Sequence, residues 1–168
     1  MTSEQVTDVD EGAYRRAVSR FATGVTVVST RSGEIDHAMT ANAVCSVSLD
    51  PLLMLVSVEN EARFYDAVMD SGVWGVSILP ATARGTAQWL ATRGRPLHGQ
   101  LDRVPHHRGE ATGVPLLSEA LAQMELRTVQ THAAGDHTLV VGHVLSVQTS
   151  EHPGDALVYY RGRFGALE

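Results

Sequence analysis

The sequence predicts a mainly β protein, an antiparallel barrel that is closed or nearly closed, with a few short helices at its ends. Apolar and β-branched runs recur along the chain with turn residues between them. The runs follow one another through hairpin-like turns, with no regular alternation of strand and helix. Helical periodicity is confined to three short stretches. The 168 residues fit one domain, long enough to bury its own core without covalent staples.

Residues 1–10 are polar and read as a flexible N-terminus, with the domain proper over 11–168. Asp8 or Asp10 is placed to cap a helix from about Gly12 to Ala22, whose apolar face is Ala13, Ala17, Val18 and Phe21, with Gly24 as its stop. Val25 to Thr30 reads as a strand and Arg31-Ser32-Gly33-Glu34 as a hairpin turn. Strands follow over Asp36–Ala41 and Ala43–Leu49, ended by Asp50-Pro51. Leu52 to Val58 is nearly all apolar, as for a strand covered on both faces. A helix at Ala62–Met69 ends at Ser71-Gly72. Val73 to Leu79 is a strand stopped by Pro80, and Thr82 is placed to cap a helix to Ala91. Thr92 to Gly113 is a long irregular crossing, of the kind that is functional or lies over a partner. Two long strands, Ala120–His132 and His137–Thr149, flank an Ala133-Ala134-Gly135-Asp136 turn. A last strand, Ala156–Tyr160, precedes an Arg161–Gly165 tail. The count is seven or eight strands.

Composition narrows the chemistry. The formal charge is −6, without the basic excess of a nucleic-acid binder. All 13 basic residues are arginine, which excludes Schiff-base chemistry and the P-loop lysine. The single cysteine, Cys45, excludes an intrachain disulfide and multi-cysteine metal sites. It lies in an apolar strand and reads as a small buried hydrophobe. No apolar run is long enough for a membrane helix. The first residues lack a signal-peptide pattern, so a cytoplasmic location is expected. There is no G-x-S-x-G elbow and no G-x-G-x-x-G turn after a strand. The adjacent His106 and His107 face opposite ways on a strand, and His37, His137 and His143 each stand alone between apolar stretches. No metal site is expected.

The run Met39 to Ser48 is unusual for a strand. Its small and hydroxyl-bearing residues leave room for a flat ligand with an apolar face and a hydrogen-bonding rim, such as a flavin. A solvent-facing edge strand is the other reading of the same run.

Several blocks carry a resemblance. They are Arg20-Phe21-Ala22-Thr23-Gly24-Val25, Met39-Thr40-Ala41-Asn42-Ala43 and Ser46-Val47-Ser48-Leu49-Asp50-Pro51. Farther on come Gly113-Val114-Pro115-Leu116-Leu117, Gly135-Asp136-His137 with Gly142-His143-Val144, and Tyr159-Tyr160-Arg161-Gly162-Arg163-Phe164. In this order they resemble the flavin reductase-like family, the small reductase components of two-component flavin monooxygenases. The resemblance covers about Tyr14 to Leu167.

It implies an FMN-binding split β-barrel, antiparallel and Greek-key-like, and a homodimer. It implies an NAD(P)H:flavin oxidoreductase of the EC 1.5.1 type. NADH, or NADPH, would reduce FAD or FMN, and the reduced flavin would pass to a partner monooxygenase. By the same resemblance Met39, Thr40, Ala41, Asn42, Ala43, Ser46, Val47 and Ser48 line the flavin ring and ribityl chain. Ser57, Val58, Glu59, Asn60 and Arg63 meet its phosphates. His137 lies by the nicotinamide and is the one candidate catalytic residue, in a binding rather than proton-donating role. Tyr159, Tyr160, Arg161 and Gly162 lie near the same nucleotide, and Arg84 is a candidate for an FAD pyrophosphate. Leu52, Ala38 and Glu61 depart from the family pattern, Glu61 by placing a carboxylate near the expected phosphate. The alternatives are a split-barrel flavoprotein oxidase of the pyridoxamine phosphate oxidase type, or a flavin-binding protein without catalysis.

Overall fold

The computed structural model describes residues 9–151 and 154–167. In chain order the elements are α1 (Glu11–Val18), β1 (Thr23–Gly24), β2 (Thr26–Ser32), β3 (Ile35–Ala41), β4 (Val44–Leu49) and β5 (Leu52–Glu59). They continue with α2 (Arg63–Ser71), β6 (Val73–Ile78), a 3₁₀ turn at Ala81–Ala83, α3 (Arg84–Ala91), β7 (His106–Arg108) and β8 (Pro115–Leu117). The last are β9 (Ala122–Ala134), β10 (His137–Thr149), β11 (Leu157–Tyr160) and β12 (Arg163–Ala166). The fold is mainly β and antiparallel, as the sequence predicts. Among the described residues no helix is long and apolar enough to cross a membrane.

Seven strands form one sheet in the order β3-β2-β6-β9-β10-β5-β4. Its two edge strands, β3 and β4, are consecutive in sequence, joined only by Asn42 and Ala43. Strands lie about 4.8 Å apart, so a flat sheet would set these edges roughly 29 Å from each other. The connection reaches at most about 11 Å. The sheet therefore rolls until its first and last strands meet. That junction is where the small-residue run lies.

The strand alternation divides the core. Val27 faces one cluster with Leu79, Ala87, Leu90 and Leu157, while its neighbour Val28 faces the other with Val56, Phe64, Trp74 and Leu126. Gly142 lies where a Cβ would stand 2.8 Å from the Trp74 ring, so the sheet closes over the indole only with glycine there. The buried Glu125 carboxylate accepts from Ala111 N, Thr112 N and Oγ1, and Ser146 Oγ, pinning the 109–113 loop. Burial raises its pKa, but these donors outweigh burial and hold it below the usual range.

Several local expectations are corrected. α1 is capped by Asp10, whose carboxylate accepts from Ala13 N at 2.8 Å, but ends at Ser19. It buries none of its residues, and Phe21 is exposed beyond it. Gly24 is not its stop, because it pairs with Val158 in a strand. Thr82 lies in the 3₁₀ turn, and α3 has no side-chain cap. β5 is not covered on both faces: Val56 and Val58 are buried on one face, Leu53, Leu55 and Ser57 on the other are only half-buried, and Leu52 is exposed. The tail is a hairpin, β11 with β12, turning at Arg161-Gly162, both with positive φ. Cys45 is exposed, not buried, since β4 is an edge strand with one face uncovered. Hairpins join β2 to β3, β4 to β5 and β9 to β10, but β2–β6, β6–β9 and β10–β5 are long-range pairings. The expected flexible segment 1–10 falls, apart from Val9 and Asp10, outside the described residues.

Candidate functional site

The junction of β3 and β4 opens into a cleft of about 470 Å³. Met39, Thr40 and Ala41 of β3 and the Asn42-Ala43 connection form one wall. Ser57 and Glu59 from the end of β5, Arg63 and Phe64 from the start of α2, and His137, the first residue of β10, line it further. The segment after α3, with Arg93, Gly94, Arg95 and Gln100, completes it.

This last segment is held by the edge of β3. An edge strand presents unpaired carbonyls, and here two of them are taken. Gln100 Nε2 donates to Asp36 O at 2.8 Å, and Arg95 donates to Ala38 O. Arg95 also donates to Thr92 O at 2.8 Å and Gln100 Oε1 at 3.3 Å. On the other side of the strand register, Thr40 Oγ1 donates to Ala87 O at 2.7 Å and fastens α3 to β3.

Side-chain chemistry varies along the cleft. Ala41, Ala43 and the Thr40 side chain, turned to the helix, leave a wall without bulk. Asn42 is turned toward β1, donating to Thr23 Oγ1 at 3.2 Å. Arg63 donates to Arg95 O at 2.7 Å. Arg93 pairs with Glu59 at 2.8 Å. His37 lines the same end as Arg63, and its pKa is lowered by burial first and by the Arg63 charge second, against the pull of Asp36.

His137 is positioned from three sides. It stands opposite Glu59 in the β5–β10 register. Its Nδ1 is 2.8 Å from Asp136 Oδ1, a contact that holds the Asp136 carboxyl below its ordinary range. Asn60 anchors the turn that carries it: Asn60 N donates to Asp136 O at 2.9 Å, and Thr138 Oγ1 donates to Asn60 Oδ1 at 2.7 Å.

The cleft thus gathers Met39, Thr40, Ala41, Asn42, Ala43, Ser57, Glu59, Arg63 and His137. Other candidates lie outside its lining. Val58 is buried in the core below, and Asn60 acts through the turn. Ser46, Val47 and Ser48 are on β4, beyond the connection, and Arg84 is exposed at the start of α3. Tyr159 packs on Phe164, ring centroids 5.3 Å apart, in the C-terminal hairpin with Tyr160, Arg161 and Gly162. Sequence reasoning missed His37, Arg93, Arg95 and Gln100 as lining residues. The available signal was the Thr92–Gly113 crossing itself, too long to be idle in a small domain. Among the described residues no group of three His, Cys, Asp or Glu could hold a metal.

A bulk-free wall, a cationic end and an imidazole in the same lining suit a planar, phosphorylated ligand. Residues 18–168 match the family model described as flavin reductase like domain. The chain belongs to that family. Among this flavin reductase-like protein's relatives is an NADH-dependent flavin reductase of Rhodococcus sp, 40% identical over 157 residues, 92% of this chain and 85% of the relative. The crystal structure of BorF, the flavin reductase component of a bacterial two-component tryptophan halogenase, is 43% identical with TM-score 0.88, covering 94% of this chain and 98% of that one. The Streptomyces globisporus C-1027 NADH:FAD oxidoreductase SgcE6, solved in complex with NAD and FAD fragments, is 31% identical with TM-score 0.89, covering 99% of this chain and 98% of that one.

Proposed function

We propose that this protein is an NADH-dependent flavin reductase of the EC 1.5.1 type, which reduces FMN or FAD and releases it to a separate flavin-dependent monooxygenase. The observation that carries this is the cleft at the β3–β4 junction, which gathers the small-residue wall, Arg63 and His137 in one place. The oxidase reading has no comparable support, since the relatives are flavin reductases.

Flavin and dihydronicotinamide together supply the hydride chemistry, which needs no protein acid or base. The chain's own work is to bind, orient and exclude water. Met39 to Ala43 give the ring a flat wall. Arg63 supplies charge for a phosphate. His137, fixed by Asp136 and the Asn60-anchored turn, presents its ring to the nicotinamide nucleotide. The described residues place no tight covering over the cleft, which suits a flavin that leaves after reduction. Homodimer formation through the exposed apolar edge of β4, with Val47 and Leu49 and the neighbouring Leu52 of β5, and a cytoplasmic location complete the reading.

NADH oxidation followed at 340 nm with FMN, FAD or riboflavin tests it. The expected result is flavin-dependent turnover, with NADH used in preference to NADPH. In His137→Ala the KM for NADH rises about fivefold to tenfold, the worth of one hydrogen bond, while the KM for flavin stays within about twofold. No oxidation with any flavin would overturn the reading, and an unchanged KM for NADH would remove His137 from the site.

A further inference from the structure

The small sheet β1-β11-β12 has one face in the core and the other bare. Leu157 is buried, and Tyr159 and Phe164 pack against the same core cluster. Successive side chains alternate across a strand, so Val158 and Tyr160 point outward. In register beside Val158 stand Gly24 of β1 and Gly165 of β12, and beside Tyr160 stands Arg163. The result is an open trough of about 860 Å³, lined by Ala22, Val158, Tyr160, Arg161, Arg163 and Gly165 among others.

The fold itself does not demand these two glycines. A Cβ at Gly24 or Gly165 would meet no atom within 4 Å, and neither has a positive φ. Glycine in a strand costs stability, and it recurs where another backbone approaches closely.

Charge and side-chain type indicate the occupant. Arg161 and Arg163 line the trough, and Arg161 N donates to Ser19 O at 2.8 Å, which brings the end of α1, with Arg20, beside the hairpin turn. All three arginines are exposed, and among the described residues none has a carboxylate within 4.0 Å. No described Asp or Glu lines the trough, although the chain's formal charge is −6. Phe21 and Tyr160 are 75% and 45% exposed at its rim. Aromatic side chains and arginines are the residues that dominate binding energy at protein interfaces. A second copy related by a twofold axis would set these arginines against themselves, a costly juxtaposition.

We propose that this trough docks a protein partner through an extended acidic segment that also carries apolar side chains. The segment's backbone lies over the Gly24–Val158–Gly165 row, and its carboxylates meet Arg20, Arg161 and Arg163. Thr23, next to Gly24, accepts a hydrogen bond from Asn42 of the cleft wall. The docked partner therefore stands beside the cleft from which reduced flavin leaves. That the partner is the flavin-accepting monooxygenase rests on the flavin reductase reading; the surface does not.

The probe is a short fluorescent peptide of Glu, Asp and Phe, compared with its Gln/Asn counterpart by anisotropy at low and high salt. The proteins are the wild type, Arg163→Glu, Gly165→Leu and Arg103→Glu. Arg103 is an exposed, unpaired arginine on the crossing after α3, so its variant makes the same charge change elsewhere. The wild type is expected to bind the acidic peptide at least about tenfold more tightly than the neutral one, with affinity falling as salt rises. Arg163→Glu and Gly165→Leu each weaken it about tenfold, Arg103→Glu leaves it within about twofold, and all three keep NADH:flavin turnover.

Equal binding of the two peptides, or no binding of the acidic one, would overturn the proposal. So would either trough variant acting no more strongly than Arg103→Glu. Displacement of the peptide by NAD⁺ or FMN would make the trough a nucleotide site instead, and a halved mass by light scattering in Arg163→Glu would give it to a second copy. A wild type that binds the acidic peptide as expected but oxidises no NADH with any flavin keeps the docking surface and sinks the reductase reading.

Discussion

β3 and β4 divide one compositional run and have opposite roles. Met39 to Ala41 sit on β3, where α3 and the segment after it cover the strand edge and leave a cleft beside small side chains. Val44 to Leu49 sit on β4, whose outer edge no strand pairs among the described residues, with Cys45, Val47 and Leu49 exposed. Two residues separate them. Small and hydroxylated side chains therefore do not by themselves make a binding wall. What makes one is a neighbouring element that closes space over them without filling it. On β4 the same kind of residue borders an apolar surface, which calls for another protein surface rather than a small ligand.

The largest test of that contrast is a bulky substitution on the cleft side. Ala43 is exposed and lines the cleft, and its backbone carbonyl, not its side chain, accepts from Ser57 N. Ala43→Trp is expected to lower flavin affinity by about tenfold to a hundredfold, the scale of overpacking a defined space. Tm stays near that of the wild type, because no core residue changes. Unchanged flavin affinity would move the ring out of this cleft, toward β4.

The matching change on the other strand concerns assembly. Leu49 is 83% exposed, yet it stands in an apolar edge with Val47 and Leu52. Leu49→Asp is expected to halve the mass seen by light scattering at micromolar concentration, with flavin binding altered less than by Ala43→Trp. A wild type that is already monomeric, or a variant that stays dimeric, would take self-association away from β4.

How far the sequence could be read follows from the same division. Strand identity was legible wherever β-branched runs met turn residues, as at β2, β6 and the β9–β10 pair. The Asp10 cap and the αL Gly72 at the end of α2 were legible because capping is local chemistry. The β3 part of the site was legible from side-chain size and from the family resemblance. The exposure of Cys45 was not, since an apolar strand reads alike at an edge and in the interior. Nor were Arg95 and Gln100, whose partners Ala38 and Asp36 lie 57 and 64 residues away. Such contacts exist only once the sheet has rolled and β3 has become an edge. The C-terminal hairpin was missed because Arg161 takes a positive φ that its residue type does not announce.

The smallest expected effect sharpens the contrast electrostatically. His37, on β3, faces Arg63 from α2, with Asp36 beside it on its own strand and Arg31 and Arg108 paired to that carboxylate. Arg95 reaches the same stretch of β3 from the segment after α3. Burial first, then Arg63, lower the His37 pKa below its ordinary 6.5. Above that value His37 is neutral in both folded and unfolded chains, and it contributes no pH dependence. Below it the unfolded chain takes up the proton more readily, so the folded state loses stability as pH falls toward the folded pKa. The ligand-free protein is therefore expected to lose Tm as pH falls below about 6.5, and His37→Asn to flatten part of that loss. On the proposed function, flavin nucleotide is expected to oppose it, because a phosphoryl group bound beside Arg63 offsets the charge that His37 gains there. β4 carries no histidine, and substitutions there leave the slope as it was. A slope that His37→Asn does not change would mean that the cationic end of the cleft is better solvated than its arginine neighbours imply.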